Sequence, residues 1–149
     1  MEAHAAAHGH RPWLFHPFGM DWRWTSWQEA AGEVERLRRE AGGADGWPER
    51  PERDGLLAAL AGAPGGDARA MEPAANWAAA LDGRREPRER CDVWVAGSFA
   101  RPLDRELLAW SLVSGTALVL PGEPARRVAA ALWTRPTVFS GDAGEVALL

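Results

Sequence analysis

Ser98, Arg101, Ser140 and Asp142 are the polar side chains of this sequence best placed to hold a small ligand. They fall after short apolar runs: "VWVA" precedes Gly97 and Ser98, and "TVF" precedes Ser140, Gly141 and Asp142. A third run, "ALVL", precedes Pro121, Gly122 and Glu123. If these runs are parallel strands, their carboxyl ends gather on one edge, where α/β sheets take ligands. Two hydroxyls, a guanidinium and the free N–H groups of nearby helix starts would then face a small ligand, with anions favoured. The same residues also read as ordinary turn formers, and Asp142 as a helix cap.

Other chemistries find less support. All 17 residues counted as lysine or arginine are arginine. Without lysine there is no Schiff-base amine and no phosphate-loop lysine. The glycine-rich "AGAPGGDARA" (61–70) lacks the spacing and the preceding strand of a phosphate loop. Ser98 lacks the following glycine of a nucleophile elbow. His4, His8, His10 and His16 all lie near the N-terminus. His4 and His8 share a face if helical, and His8 and His10 could chelate in an extended chain. That pattern takes Zn²⁺, Ni²⁺ or Cu²⁺ adventitiously, but a resident site needs supporting groups that a leader does not supply. The single cysteine, Cys91, excludes an intrachain disulfide and a multi-cysteine zinc site. No cofactor is implied.

The elements that must position these residues follow from pattern. Residues 1–12 read as a flexible leader, and 13–149 as one α/β domain. "WLFHPFGMDWRW" reads as an extended segment, strand-like at Trp22 to Trp24. Ser26 and Glu29 form a capping box for a helix whose apolar stripe is Trp27, Ala30, Ala31, Val34, Leu37 and Ala41. Gly42 and Gly43 end it. "GLLAALAGA" reads as a short helix, 73–81 as another, and "RREPRER" as a charged linker. From Val93 the pattern alternates strand and helix to the end. Leu103, Leu107, Trp110 and Ser111 are expected inward on one helix. Val128, Ala129, Leu132 and Trp133 are expected inward on the next. The fold class expected is a mostly parallel sheet with helices on both faces: a C-terminal βαβαβα unit plus an N-terminal strand–helix segment. Of nine tryptophans, Trp27, Trp110 and Trp133 are expected in the core. Trp13, Trp22, Trp24 and Trp47 either cover a sheet edge or form a patch for a partner.

Net charge is −4, and the one arginine cluster (84–90) is diluted by acids, which argues against nucleic acid. No export leader and no membrane-length apolar run is visible, so a cytoplasmic protein is expected.

The stretch "WRWTSWQEAAGEVERLRREAGG" (22–43) resembles the opening of adenylate-forming enzymes, the acyl-CoA synthetase (AMP-binding) superfamily. "CDVWVAGSFARPLDRELLAWSLVSGTALVLPGEPARRVAAALWTRPTVFSGDAGEVALL" (91–149) is similar to their central stretch in the order and texture of its elements. Together these cover a little over half the chain. Where that family carries a Ser/Thr/Gly-rich phosphate loop with a lysine, this chain has "LDGRREPRER". The family's later motifs would fall beyond Leu149, so no catalytic residue is carried over. The resemblance implies a degenerate, truncated relative of the family's N-terminal region without adenylation activity. It also implies a non-catalytic accessory acting through a homodimer or through an acyl-activating enzyme or carrier protein. The alternative is a small-ligand domain for a nucleotide or acyl-carboxylate, using Ser98, Arg101, Ser140 and Asp142. A third reading is an enzyme of unrecognised chemistry.

Overall fold

The computed structural model describes residues 1–62, 93–136 and 138–149. The expected helix over 73–81, the charged linker and Cys91 lie outside the described residues. The first half contains α1 (Glu2–His8), β1 (Pro12–Phe18), β2 (Asp21–Ser26), α2 (Trp27–Ala41) and α3 (Arg53–Gly62). The second contains β3 (Val93–Val95), α4 (Pro102–Ser114), β4 (Ala117–Val119), α5 (Pro124–Thr134), β5 (Val138–Phe139) and α6 (Ala143–Val146). Among the described residues, no helix is long and apolar enough to cross a membrane.

The chain is mixed α/β. Its five strands run in the order β2-β1-β4-β3-β5. β1 and β2 form an antiparallel hairpin, while β1–β4, β3–β4 and β3–β5 pair in parallel. Gly19, at φ +62°, lets the hairpin turn in a conformation that a residue with Cβ rarely adopts. The segment 13–24, read as extended, is thus the inner strand β1 followed by most of β2.

Side-chain alternation divides the apolar residues between two faces. Leu14 and Leu118 join the main core with Trp27, Leu56, Leu107 and Trp110 from α2, α3 and α4. Their neighbours Phe15 and Val119 join Phe139, Ala130 and Ala131 in a smaller cluster under α5. Trp13 is fully buried and stacks on Trp27 at 4.4 Å. Its indole N–H donates to Ser111 Oγ at 3.2 Å, and that hydroxyl donates to the Thr116 carbonyl at 2.7 Å. A buried serine on α4 is thereby satisfied at both ends of its hydrogen-bonding capacity.

The expected helix signals are present. Ser26 Oγ accepts from Glu29 N at 3.2 Å, and the Glu29 carboxylate accepts from Ser26 N at 2.8 Å. Asp142 and Glu145 make the same reciprocal box at α6. Pro102 and Pro124 open α4 and α5, and Gly42 and Gly115 close α2 and α4 at positive φ.

Four inward assignments are corrected. Leu103 is half exposed, because Asp104 takes the inner position to receive backbone N–H groups of the β3–α4 loop. On α5, Leu132 and Trp133 are each 60 % exposed, Ala129 is exposed and Val128 only half buried. The buried residues are Ala130 and Ala131. Val119 lies between the bulky Phe15 and Phe139, so the helix seats on the sheet through its smallest side chains. Trp133 is therefore not core; it stacks on Trp22 at 5.7 Å beside the sheet.

Residues 1–12, read as a flexible leader, carry α1, whose Met1 and Ala5 pack against the main core. His4 Nε2 lies 3.0 Å from the Val113 carbonyl, and its ring sits 4.8 Å from that of Trp27. The chain then threads into α2 through Gln28 N–H to Gly9 O and Trp27 N–H to Arg11 O.

Candidate functional site

The carboxyl ends of β3 and β5 bring together the residues singled out by sequence. Asp104 is fully buried and its carboxylate accepts from Gly97 N and Ser98 N, each at 3.3 Å. Arg101 Nε donates to the same carboxylate at 2.6 Å. Arg105 donates to the Phe99 and Ala100 carbonyls. Ser98 Oγ accepts from Ala100 N at 3.3 Å, a turn closure. A Cβ on Gly97 would strike the Arg101 guanidinium and stand 2.7 Å from the Ser140 carbonyl oxygen. The β3 and β5 loops therefore touch through a position where only glycine fits. Ser140 is buried, with partners of its own. Asp142 is committed to its cap, and its partner Glu145 also receives Arg127 at 2.8 Å in a largely buried pair. Ser98, Arg101 and Ser140 are neighbours, but Arg101 is turned on Asp104 and Ser98 on its own loop.

A concavity opens at the carboxyl ends of β1 and β4. It encloses about 940 Å³. β1 and β2 contribute His16, Phe18, Arg23, Trp24 and Thr25. α2 contributes Glu29 and Glu33, and the start of α3 contributes Arg53 and Asp54. Pro121, Gly122, Glu123 and Arg126 close the far side from β4 and the first turn of α5. Gly122 N–H donates to Pro51 O at 3.2 Å, tying that side to the segment before α3.

One part of this wall is fixed by the Pro17 carbonyl, 3.4 Å from His16 Nδ1. A carbonyl can only accept, so the hydrogen of the neutral ring sits on Nδ1 and Nε2 keeps its lone pair. Nε2 then accepts from the Thr25 hydroxyl, 3.4 Å away, and Thr25 Oγ1 accepts from Arg53 Nε at 3.0 Å. Burial holds His16 below the ordinary histidine range; Arg53 and Arg23 push the same way, against the Pro17 carbonyl and Asp54. The ring is neutral near pH 7. Thr25 is buried and already accepts from Arg53, so the pair is not a poised nucleophile.

The cleft contains three guanidiniums and five carboxylates. Hydrogen bonds from the Ser26 backbone and hydroxyl hold Glu29 below the usual carboxylate range. A hydrogen bond from Arg36 does the same for Glu33. Arg53 is paired with Asp54 at 2.5 Å, and Arg23 lies over the Phe18 ring at 3.3 Å. Among the described residues, Glu52, Glu123 and Arg126 have no side-chain hydrogen bond or ion pair. Trp24, half exposed, adds a flat apolar surface.

Sequence reasoning missed this cleft except for Gly122 and Glu123. The missing step was that β1 is an inner strand beside β4, which makes His16 and Pro17 strand-end residues too. The continuous apolar run Trp13-Leu14-Phe15 was the available signal for a covered inner strand. Among the described residues, no group of three or more His, Cys, Asp or Glu side chains could hold a metal ion. His4 is engaged with Val113 and Trp27, and its ring stacks on that of His8 at 6.2 Å on α1, the shared face that the helical spacing predicts. No family model, no curated protein and no solved structure matches this chain.

Proposed function

We infer that this chain is a small-ligand-binding α/β domain whose site is the cleft at the carboxyl ends of β1 and β4. The observation that carries this reading is a concavity of about 940 Å³ at that edge, with unpaired charges of both signs. We take β3–α4–β4–α5–β5–α6 as a βαβαβα unit of right-handed crossovers, which makes this edge the ligand edge of the sheet. The ligand it suits is polar, carries both a positive and a negative group, and has a flat face for Trp24. In this reading the chain is a degenerate relative of the N-terminal region of adenylate-forming enzymes that keeps a scaffold and binds without activating. The test is titration of the labelled protein with AMP, octanoate and a zwitterionic aromatic amine, followed by amide shifts. Saturable shifts at Gly122 and the Trp24 indole are expected with at least one probe, weakened about tenfold by Arg126→Ala. No saturable shift at those positions with any probe class would overturn it.

The exposed Leu132 and Trp133 favour a second reading: an accessory that associates with its own copy or with an acyl-activating enzyme or carrier protein. Sedimentation against concentration decides it. A dimer lost in Trp133→Ser supports it, and a monomer throughout the micromolar range removes self-association.

A further inference from the structure

His16 is the one histidine lining the cleft, and it sits where the β1–β2 hairpin meets the first turn of α3. That junction is narrow. Arg53 reaches from α3 to Thr25, and Thr25 reaches to His16. Behind it, Pro51 O receives Gly122 N, so the start of α3 also holds the β4 side of the cleft. Leu56 N–H closes the first turn on Glu52 O at 3.0 Å.

We propose that His16 is a proton-operated latch: neutral, it completes the Thr25–Arg53 tie; protonated, it loosens the first turn of α3 and reshapes the cleft. With Nδ1–H on the Pro17 carbonyl, the neutral ring meets the Thr25 hydroxyl with the Nε2 lone pair. A protonated ring offers only donors, so Nε2–H and Arg53 Nε–H would converge on one buried hydroxyl. Two cations then share that oxygen, and Thr25 must turn its hydrogen away from both. The surrounding charges do not cancel this. From α3, Arg53 opposes protonation and Asp54 favours it, while Arg23 on β2 opposes it. Glu29 and Glu33 of α2 also line the cleft, but each is held by its own partner. Glu52, Glu123 and Arg126 are the free charges across it. The latch stands on this geometry whether or not the cleft takes a ligand.

Hydrogen exchange of the full chain at pH 7.5 and pH 5, corrected for intrinsic rates, tests it. The amides of Leu56 and Gly122 are expected to exchange at least about threefold faster at the lower pH, relative to Trp110 in the core. In His16→Gln, which has no proton to gain, the difference disappears. Arg53→Gln, which removes the second cation, suppresses it as well and serves if His16→Gln does not fold. Unchanged relative exchange at a pH where the His16 ring is protonated by NMR would overturn the latch. Equal pH dependence in the two variants and the wild type would do the same.

Discussion

At the ends of β3 and β5 the charged side chains are spent on the fold: Arg101 on Asp104, Arg105 on loop carbonyls, Arg127 on Glu145. At the ends of β1 and β4, Glu52, Glu123 and Arg126 remain unpaired among the described residues, around open space. Both regions hold the residue types that ligands use, and both lie at strand ends. The difference is local accounting. Where a loop is too tight to hydrate its own N–H groups, a buried carboxylate must serve them, and that carboxylate then claims the nearest guanidinium. Where strands end in an open cleft, water does the serving and side chains stay free.

The comparison breaks first at Asp104. Replacement by alanine strands two backbone donors and frees Arg101, and should cost about 3 kcal/mol in a denaturant titration. A loss under 0.5 kcal/mol would show that the β3–α4 loop does not depend on it. Gly97→Ala should cost about 2 kcal/mol, because the Ser140 carbonyl is backbone and cannot step aside. Ser26→Ala, which opens the capping box of α2 at the cleft's border, should cost about 1 kcal/mol. The His16 contribution is smaller and has a definite sign. Its folded pKa is depressed, so the unfolded chain binds more protons in the window below about 6.5. Stability from this group is complete above that window and falls as pH drops through it. His16→Gln should flatten that part of the stability–pH curve, and an unchanged slope would count against the neutral ring. Smallest of all, Arg126→Ala should move stability by less than about 0.5 kcal/mol while weakening ligand binding. A large stability loss would mean that Arg126 is structural and that the two regions are alike.

Much of the frame was legible because its signals are local. Ser26 with Glu29, Asp142 with Glu145, and the prolines opening α4 and α5 each act within one helical turn. The seating of α5 was not legible. Val128, Leu132 and Trp133 are its bulky apolar residues, yet Ala130 and Ala131 are the ones that pack with Val119, a choice made across the fold. Trp13 was obscured for a related reason. Its acceptor, Ser111, lies on another element, and only the packed core shows that a tryptophan beside Pro12 can be wholly buried. The site divided in the same way. Ser98, Arg101 and Ser140 were found together by strand-end logic, yet Asp104, which engages the Arg101 guanidinium, was hidden as one polar residue in a helix. His16 and Thr25 meet across the β1–β2 hairpin, and Arg53 joins them only through the placement of α3.

The central claim is that the open cleft at β1 and β4, and not the satisfied mouth at β3 and β5, is where this protein meets its ligand. Amide-shift mapping of the intact chain against a diverse fragment set tests it most directly. The account predicts perturbations converging on His16, Trp24, Gly122 and Arg126. Shifts converging instead on Ser98, Arg101 and Ser140, or on Leu132 and Trp133, would contradict it.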